Sequence, residues 1–256
     1  MDDPAVIEAP VEAEPAPPPP APQIAYRHRL PTRLWHWSNA LTVFVMLMSG
    51  LMIFNAHPHL YWGQFGANFD HPWLSFRGRP FPGWATIPSM YNLAAARRWH
   101  LAFAWLLVVP LLLFLVTSLI NRHARRDLAP TRDEVKPGHI WHDIREHARL
   151  RFPTGEAALR YNILQKFSYI SVIFVLLPLM ILTGLTMSPA MDAAWPWLLD
   201  VFGGRQSARS IHFICAMLLL AFIIVHLVMV ALAGPINEIG SMITGRFRVP
   251  PERSEP

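Results

Sequence analysis

Residues Ile211–His226 read IHFICAMLLLAFIIVH. The run is almost pure hydrocarbon, yet it holds a histidine near each end, His212 and His226, fourteen positions apart. At 1.5 Å and 100° per residue, that spacing makes about 21 Å of helix and returns to within about 40° of the same face. The stretch predicts a membrane-crossing helix that presents two imidazoles from one side, one near each boundary. Ionisable groups inside a span are costly and usually mark function. One such histidine alone reads equally well as a hydrogen-bonded packing residue; a matched pair does not.

The rest of the chain suits a membrane. Of 256 residues 53% are hydrophobic and only 15% charged, and the mean hydropathy is +0.28. That combination is poor for a soluble globule. Besides the helix, set at Ser210–Ala233, three further spans are predicted: Pro31–Phe54, Arg98–Ile120 and Ile163–Met187. Each holds about 20 or more mostly apolar residues, enough for a hydrocarbon core about 30 Å thick. Pro110 and Pro178 lie inside two of them, as membrane helices tolerate. The single cysteine, Cys215, excludes an internal disulfide, and the absence of CxxCH and of four-cysteine sets excludes c-type haem attachment and a resident iron–sulfur cluster.

Charge sets the expected orientation. With the N-terminus inside, the outer loops carry six Lys and Arg (Arg77, Arg79, Arg97, Arg98, Arg205, Arg209), and the inner segments carry the other sixteen of 22. The inner set includes Arg122, Arg125, Arg126, Arg132 and Lys136. The bias places both termini in the cytoplasm of a bacterial cell. The formal charge of +5 is then read as attraction to membrane lipid rather than to nucleic acid. Residues 1–25, acidic and rich in Pro and Ala, lack the basic start and apolar centre of a secretory signal and read as a disordered tail. Residues 26–245 form the expected membrane domain and 246–256 a second tail. The outer loop from Asn55 to Arg97 carries Tyr61, Trp62, Trp73, Phe76, Phe81 and Trp84. It is expected to fold onto the membrane surface, as an aromatic belt or a docking surface.

Two other histidines complete a pattern. His36 lies about five residues inside the first span, and His226 about six before the end of the fourth, so both sit about 8–10 Å from the inner boundary. His100 and His212 share the outer level by the same measure. Paired imidazoles from facing helices suit a six-coordinate haem b, with both axial positions filled for electron transfer. Zinc wants more protein ligands, and a proton relay more often includes an intramembrane acid. Gly50 and Gly184 offer close backbone approach for a flat macrocycle, with small-residue helix packing as the alternative. Arg33, Arg97, Arg98 and Arg209 lie near the boundaries where haem propionates would sit, with lipid anchoring as theirs.

RLWHWSNALTVFVMLMSGL, RRWH and the opening stretch together resemble the di-haem cytochrome b membrane subunits of Ni,Fe-hydrogenases, formate dehydrogenase-N and thiosulfate-reductase-type enzymes, over about residues 26–245. The resemblance implies an all-α fold: a transmembrane four-helix bundle binding two haems b, here with an extended periplasmic loop. It implies electron transfer across the cytoplasmic membrane between a periplasmic redox subunit (molybdopterin, Ni,Fe or iron–sulfur type) and the quinone pool, menaquinone or ubiquinone. His36, His226, His100 and His212 become the iron ligands. YNILQKF is similar to the family's Asn-x-x-Gln-Lys stretch, so Asn162, Gln165 and Lys166 become quinone-site candidates beside His226. GPINEIGSMITGRF resembles a short interfacial helix. The long outer loop and the Pro-rich tail depart from the pattern and leave the partner open. A homo-oligomer, a stand-alone quinone reductase oxidising a small molecule such as superoxide, and a non-redox transporter or anchor are the other readings.

Overall fold

A computed structural model of the chain describes residues 23–67, 69–120 and 129–251. Residues 1–22, and with them nearly all of the expected N-terminal tail, lie outside the described residues, as do Arg122, Arg125 and Arg126 of the charge count.

Four helical stretches are long and apolar enough to cross a membrane: Leu30–Phe54, Leu93–Ile120, Gly155–Met187 and Arg205–Ala233. The first is helix α1 (Leu30–Phe54), with Pro31 in its first turn where no N–H is needed. The second is α2 (Leu93–Ile120), which runs through Pro110. Asn92 caps it, its Oδ1 accepting from the Ala95 N–H at 2.9 Å. A short helix, α3 (Pro137–Ala148), precedes the third span. That span is α4 (Ile163–Ser171), one π turn (Val172–Leu176) and α5 (Leu177–Met187). The Leu177 N–H reaches back five residues to the Val172 carbonyl. Pro178 accounts for this: it offers no N–H and its ring crowds the carbonyl four residues earlier, so a widened turn relieves it. After α6 (Pro189–Ala194) and α7 (Trp197–Val201), the fourth span is α8 (Arg205–Ala233), followed by α9 (Pro235–Thr244).

The four spans meet in a central apolar layer. Leu107 and Leu111 of α2, Leu177 of α5 and Leu219 of α8 are buried together, with Trp35 and Val43 of α1 packed against them. Leu107 and Leu219 each follow a histidine, His100 and His212, by seven residues. The layer therefore lies about 10 Å along the axis from that level.

At one end, the loop expected to run from Asn55 to Arg97, which gives way to α2 already at Leu93, is folded onto α8. Strands β2 (His59–Leu60) and β3 (Leu74–Ser75) pair antiparallel. Ser210 Oγ donates to the Tyr61 carbonyl at 2.6 Å and accepts from Trp73 Nε1 at 3.0 Å. Gly63 N–H donates to Ser207 Oγ at 2.7 Å. Asn55 and Phe81 exchange two hydrogen bonds at 2.8 and 3.0 Å.

At the other end the two chain ends join. Strand β1 (Ile24–Tyr26) pairs antiparallel with β4 (Arg246–Arg248). The boundary expected at 25/26 thus falls inside β1, and the one at 245/246 falls at the start of β4. Its anchor is Phe247, 2% exposed, with the Arg27 guanidinium 4.5 Å from its ring centre. Arg27 also pairs with Glu238 of α9 at 3.2 Å. The Pro250 carbonyl accepts from the Gly155 N–H at 3.0 Å, so the start of the third span shares this end.

Candidate functional site

The four histidines meet in two pairs. His100 of α2 and His212 of α8 stand with ring centres 6.2 Å apart and planes at 61°. His36 of α1 and His226 of α8 stand 6.4 Å apart at 55°. Two metal–imidazole bonds of about 2 Å, with about 1.1 Å from nitrogen to ring centre on each side, span about 6.3 Å. Both pairs therefore have the separation that one ion between facing nitrogens requires. Among the described residues no group of three or more His, Cys, Asp or Glu could hold a metal. Two imidazoles alone are a thin shell for a bare ion. They suit an iron whose other ligands come from its own macrocycle.

Hydroxyl groups that the sequence reading missed hold the pair at the loop end. Ser49 Oγ lies 3.0 Å from His100 Nδ1, and Thr183 Oγ1 lies 2.9 Å from His212 Nδ1. Each hydroxyl already donates its one proton to a carbonyl of its own helix, Ser49 to Val45 and Thr183 to Leu179, both at 2.7 Å. The imidazole must then be the donor. Nδ1 carries the proton, and Nε2 keeps a free lone pair for a metal. Each hydroxyl directly precedes a predicted glycine. A Cβ on Gly50 would stand 3.3 Å from His100 Cε1, and one on Gly184 3.6 Å from His212 Cε1. Gly50 thus makes room for the His100 imidazole, while a Cβ at Gly184 would meet His212 in ordinary van der Waals contact. The dipeptides Ser49-Gly50 and Thr183-Gly184 were the signal available in the sequence.

The pair at the termini end is built differently. His226 stacks on Phe222, centres 5.7 Å apart. His36 Nδ1 is buried with no hydrogen-bond partner among the described residues. Arg33 donates to the Ile243 carbonyl of α9, and its Nε is buried without a partner among the described residues. Arg209 donates to the His57 and His59 carbonyls of the folded loop. Arg97 and Arg98 are exposed near the start of α2.

The three quinone-site candidates are engaged locally. Asn162 and Gln165 form a reciprocal capping box at the start of α4. Asn162 Nδ2 also donates to His147 Nε2 at 3.1 Å. Lys166 Nζ donates to both carboxylate oxygens of Glu134 at 2.8 Å. Burial opposes the Glu134 carboxylate, but the Lys166 ammonium and Thr131 outweigh it and hold its carboxyl below the usual range. Glu134 and His147 were not anticipated; no local pattern in the sequence ties them to the third span.

Two histidines outside the spans are also perturbed. Burial, with the fields of Arg27, His36 and Arg33, pushes His28 down to about 4. Burial, Arg209 and His59 lower His57.

Residues 27–245 match the family described as prokaryotic cytochrome b561. A relative in Azospira oryzae, named as the protein-methionine-sulfoxide reductase subunit YedZ1, is 26% identical over 78% of this chain and 87% of its own. Relatives in Cupriavidus necator and Azotobacter vinelandii are named as Ni/Fe-hydrogenase B-type cytochrome subunits. The first is 23% identical over 86% of this chain and 85% of its own; the second is 22% identical over 78% of each. No solved structure matches the chain. With a helical fold, four spans and a match covering all four paired histidines, the chain belongs to the prokaryotic cytochrome b561 family, membrane proteins of b-type haem.

Proposed function

We propose that the chain is the electron-transferring membrane subunit of a redox complex, with one b haem held by His100 and His212 and a second by His36 and His226. Haem b, when bound, would supply one-electron redox chemistry there. The observation that carries the reading is the geometry of two pairs, each with ring centres near 6.3 Å. His212 and His226 on one helix set the two levels about 21 Å apart along its axis. Ser49 and Thr183 fix the donor face of one pair and leave Nε2 for the iron.

The loop end faces the periplasm and both termini face the cytoplasm of a bacterial inner membrane, as the charge bias supports. The folded loop then meets a periplasmic redox subunit, of the hydrogenase or sulfoxide-reductase kind that the relatives' names suggest. Quinone exchanges electrons at the His36–His226 level. Arg33 and Arg98 stand near the boundaries where carboxylates of the two haems would lie. Asn162, Gln165 and Lys166 shape the inner entry to the third span through the capping box and the Glu134 ion pair.

A reduced-minus-oxidised spectrum of the detergent-purified chain, with pyridine haemochrome quantitation, tests this. Two b haems per chain are expected, falling to one in His212→Ala with the protein still inserted. A colourless protein, or haem content unchanged in His212→Ala, refutes the assignment.

A further inference from the structure

Arg246 and Arg248 stand on one face of the sheet that joins the chain ends. Alternate side chains of a strand share a face, so Phe247 between them is buried while both arginines are exposed. Across the sheet Ile24 stands opposite Arg248 and Tyr26 opposite Arg246, which adds two exposed apolar side chains to the same face. Arg27 of this end is paired with Glu238. Neither Arg246 nor Arg248 has a carboxylate partner among the described residues.

Beside that face lies a cleft of about 560 Å³, inside the range of about 300–1,000 Å³ common for small-ligand sites. The sheet forms one wall, with Ile24, Arg246 and Arg248. Helix α9 forms the other, with Ile236, Gly240 and Thr244 spaced one turn apart along it. Glycine makes the hollow. Gly234 has φ +109° and turns α8 into α9, and a Cβ at Gly240 would meet nothing within 4 Å. Asn237 fixes the two walls: its amide exchanges two hydrogen bonds with the Arg248 backbone, at 2.8 and 2.9 Å. The cleft is therefore preformed.

Position and charge select its occupant. The membrane-crossing helix α8 ends at Ala233, so a cleft that opens at Gly234 and Pro235 lies where hydrocarbon gives way to headgroups. Ile236 is 91% exposed and Ile24 64%, and apolar side chains at that depth bury themselves among acyl chains. The cleft is lined by two guanidiniums and no carboxylate, which suits a phosphate that accepts from both forks. A zwitterionic headgroup brings an ammonium that finds no partner there. A free phosphate leaves the isoleucines uncovered. An anionic phospholipid satisfies the cations and the apolar rim together.

We infer that this cleft holds the headgroup of an anionic phospholipid, its phosphate between Arg246 and Arg248 and its chains over Ile236 and Ile24. The site is separate from both histidine pairs and does not depend on the haem reading.

The test is native mass spectrometry of the detergent-purified full chain, titrated with phosphatidylglycerol or with phosphatidylcholine of the same acyl chains. The wild-type chain is expected to bind a first phosphatidylglycerol about tenfold or more tighter than phosphatidylcholine. At about fivefold per cation near a headgroup, Arg246→Gln with Arg248→Gln should weaken that binding about 25-fold. Gly240→Leu fills the hollow and favours the helix, and should block binding with both arginines in place. Arg132→Gln with Arg149→Gln removes two exposed cations elsewhere at the same end and should bind as wild type. Wild-type binding in either cleft variant overturns the inference. So does an equal loss in the Arg132 and Arg149 variant, which would show diffuse attraction to a basic surface. Displacement of the lipid by millimolar inorganic phosphate overturns it in favour of a plain anion site.

Discussion

Thr183→Val exchanges a hydroxyl for a methyl at a position that is 0% exposed, with almost no change of shape. It removes the oxygen 2.9 Å from His212 Nδ1. A ring that donates from Nδ1 carries more negative charge at Nε2, which favours the oxidised metal. On the proposed ligation, removing the acceptor therefore raises the midpoint potential of a haem bound at His212. A hydrogen bond of this kind contributes about 1–1.5 kcal/mol. At about 59 mV per tenfold for one electron, the whole bond would correspond to about 40–60 mV. A rise of up to that size is expected. Haem retention should also fall, by about tenfold or more, as for other partners of metal-bound histidine. Redox titration of the purified variant, followed at the absorption band of the reduced haems, reads both. One potential should rise and the other stay. Two unmoved potentials with wild-type haem retention would show that Thr183 does not tune His212, and the tautomer argument would fail with it.

The glycines separate by their clearances: Gly50→Ala brings a Cβ to 3.3 Å from His100 Cε1 and should lower haem content, whereas Gly184→Ala at 3.6 Å from His212 Cε1 should not, as haemochrome assays of both will show. Gly204 has φ +106° and its Cβ would stand 2.6 Å from the Gly63 backbone, so Gly204→Ala should loosen the loop at a cost of about 2 kcal/mol or more and speed proteolysis near Gln64. His28, 9% exposed, titrates near 4 when folded and at 6.5 when unfolded, so the unfolded chain takes up the proton first. Stability should be full above about pH 6.5 and fall as pH drops toward 4, by at most about 3 kcal/mol; thermal unfolding at pH 7.5 and 5 should show a smaller gap in His28→Phe.

The spans were legible because a hydrocarbon core imposes length and apolarity directly on the chain. Their starts were less so. Arginine reads as a boundary, yet α2 begins at Leu93 and α8 at Arg205, because a helix continues past the hydrocarbon edge and arginine propagates it well. The level matching of the histidines was legible because helix rise converts sequence position into depth. The groups around them were not. Which hydroxyl meets which Nδ1 depends on the rotation of α1 against α2 and of α5 against α8, and rotation leaves no mark in spacing. Asn162, Gln165 and Lys166 were picked out by the resemblance of YNILQKF to a family stretch, while the structure engages them with each other, His147 and Glu134. The pairing of Ile24–Tyr26 with Arg246–Arg248 joins segments more than 200 residues apart, beyond the reach of any local pattern.

That sheet has a consequence for how the molecule is made. A chain enters the membrane from its N-terminus, so α1 arrives first, with His36 exposed on it, and waits while the other three spans follow. His226 and strand β4 come last. The contact between β1 and β4 closes only after the fourth span is in place, and it draws α1 and α8 together at the level where their histidines face each other. Synthesis that stops before Arg246 leaves β1 with no strand to pair, and α1 is then held at that end by its contacts to α9, Arg33 to the Ile243 carbonyl and Trp37 Nε1 to the Met242 carbonyl. The clasp thus makes full closure at the His36–His226 level a late event, and a chain cut short before it should be weakened there while the His100–His212 level assembles.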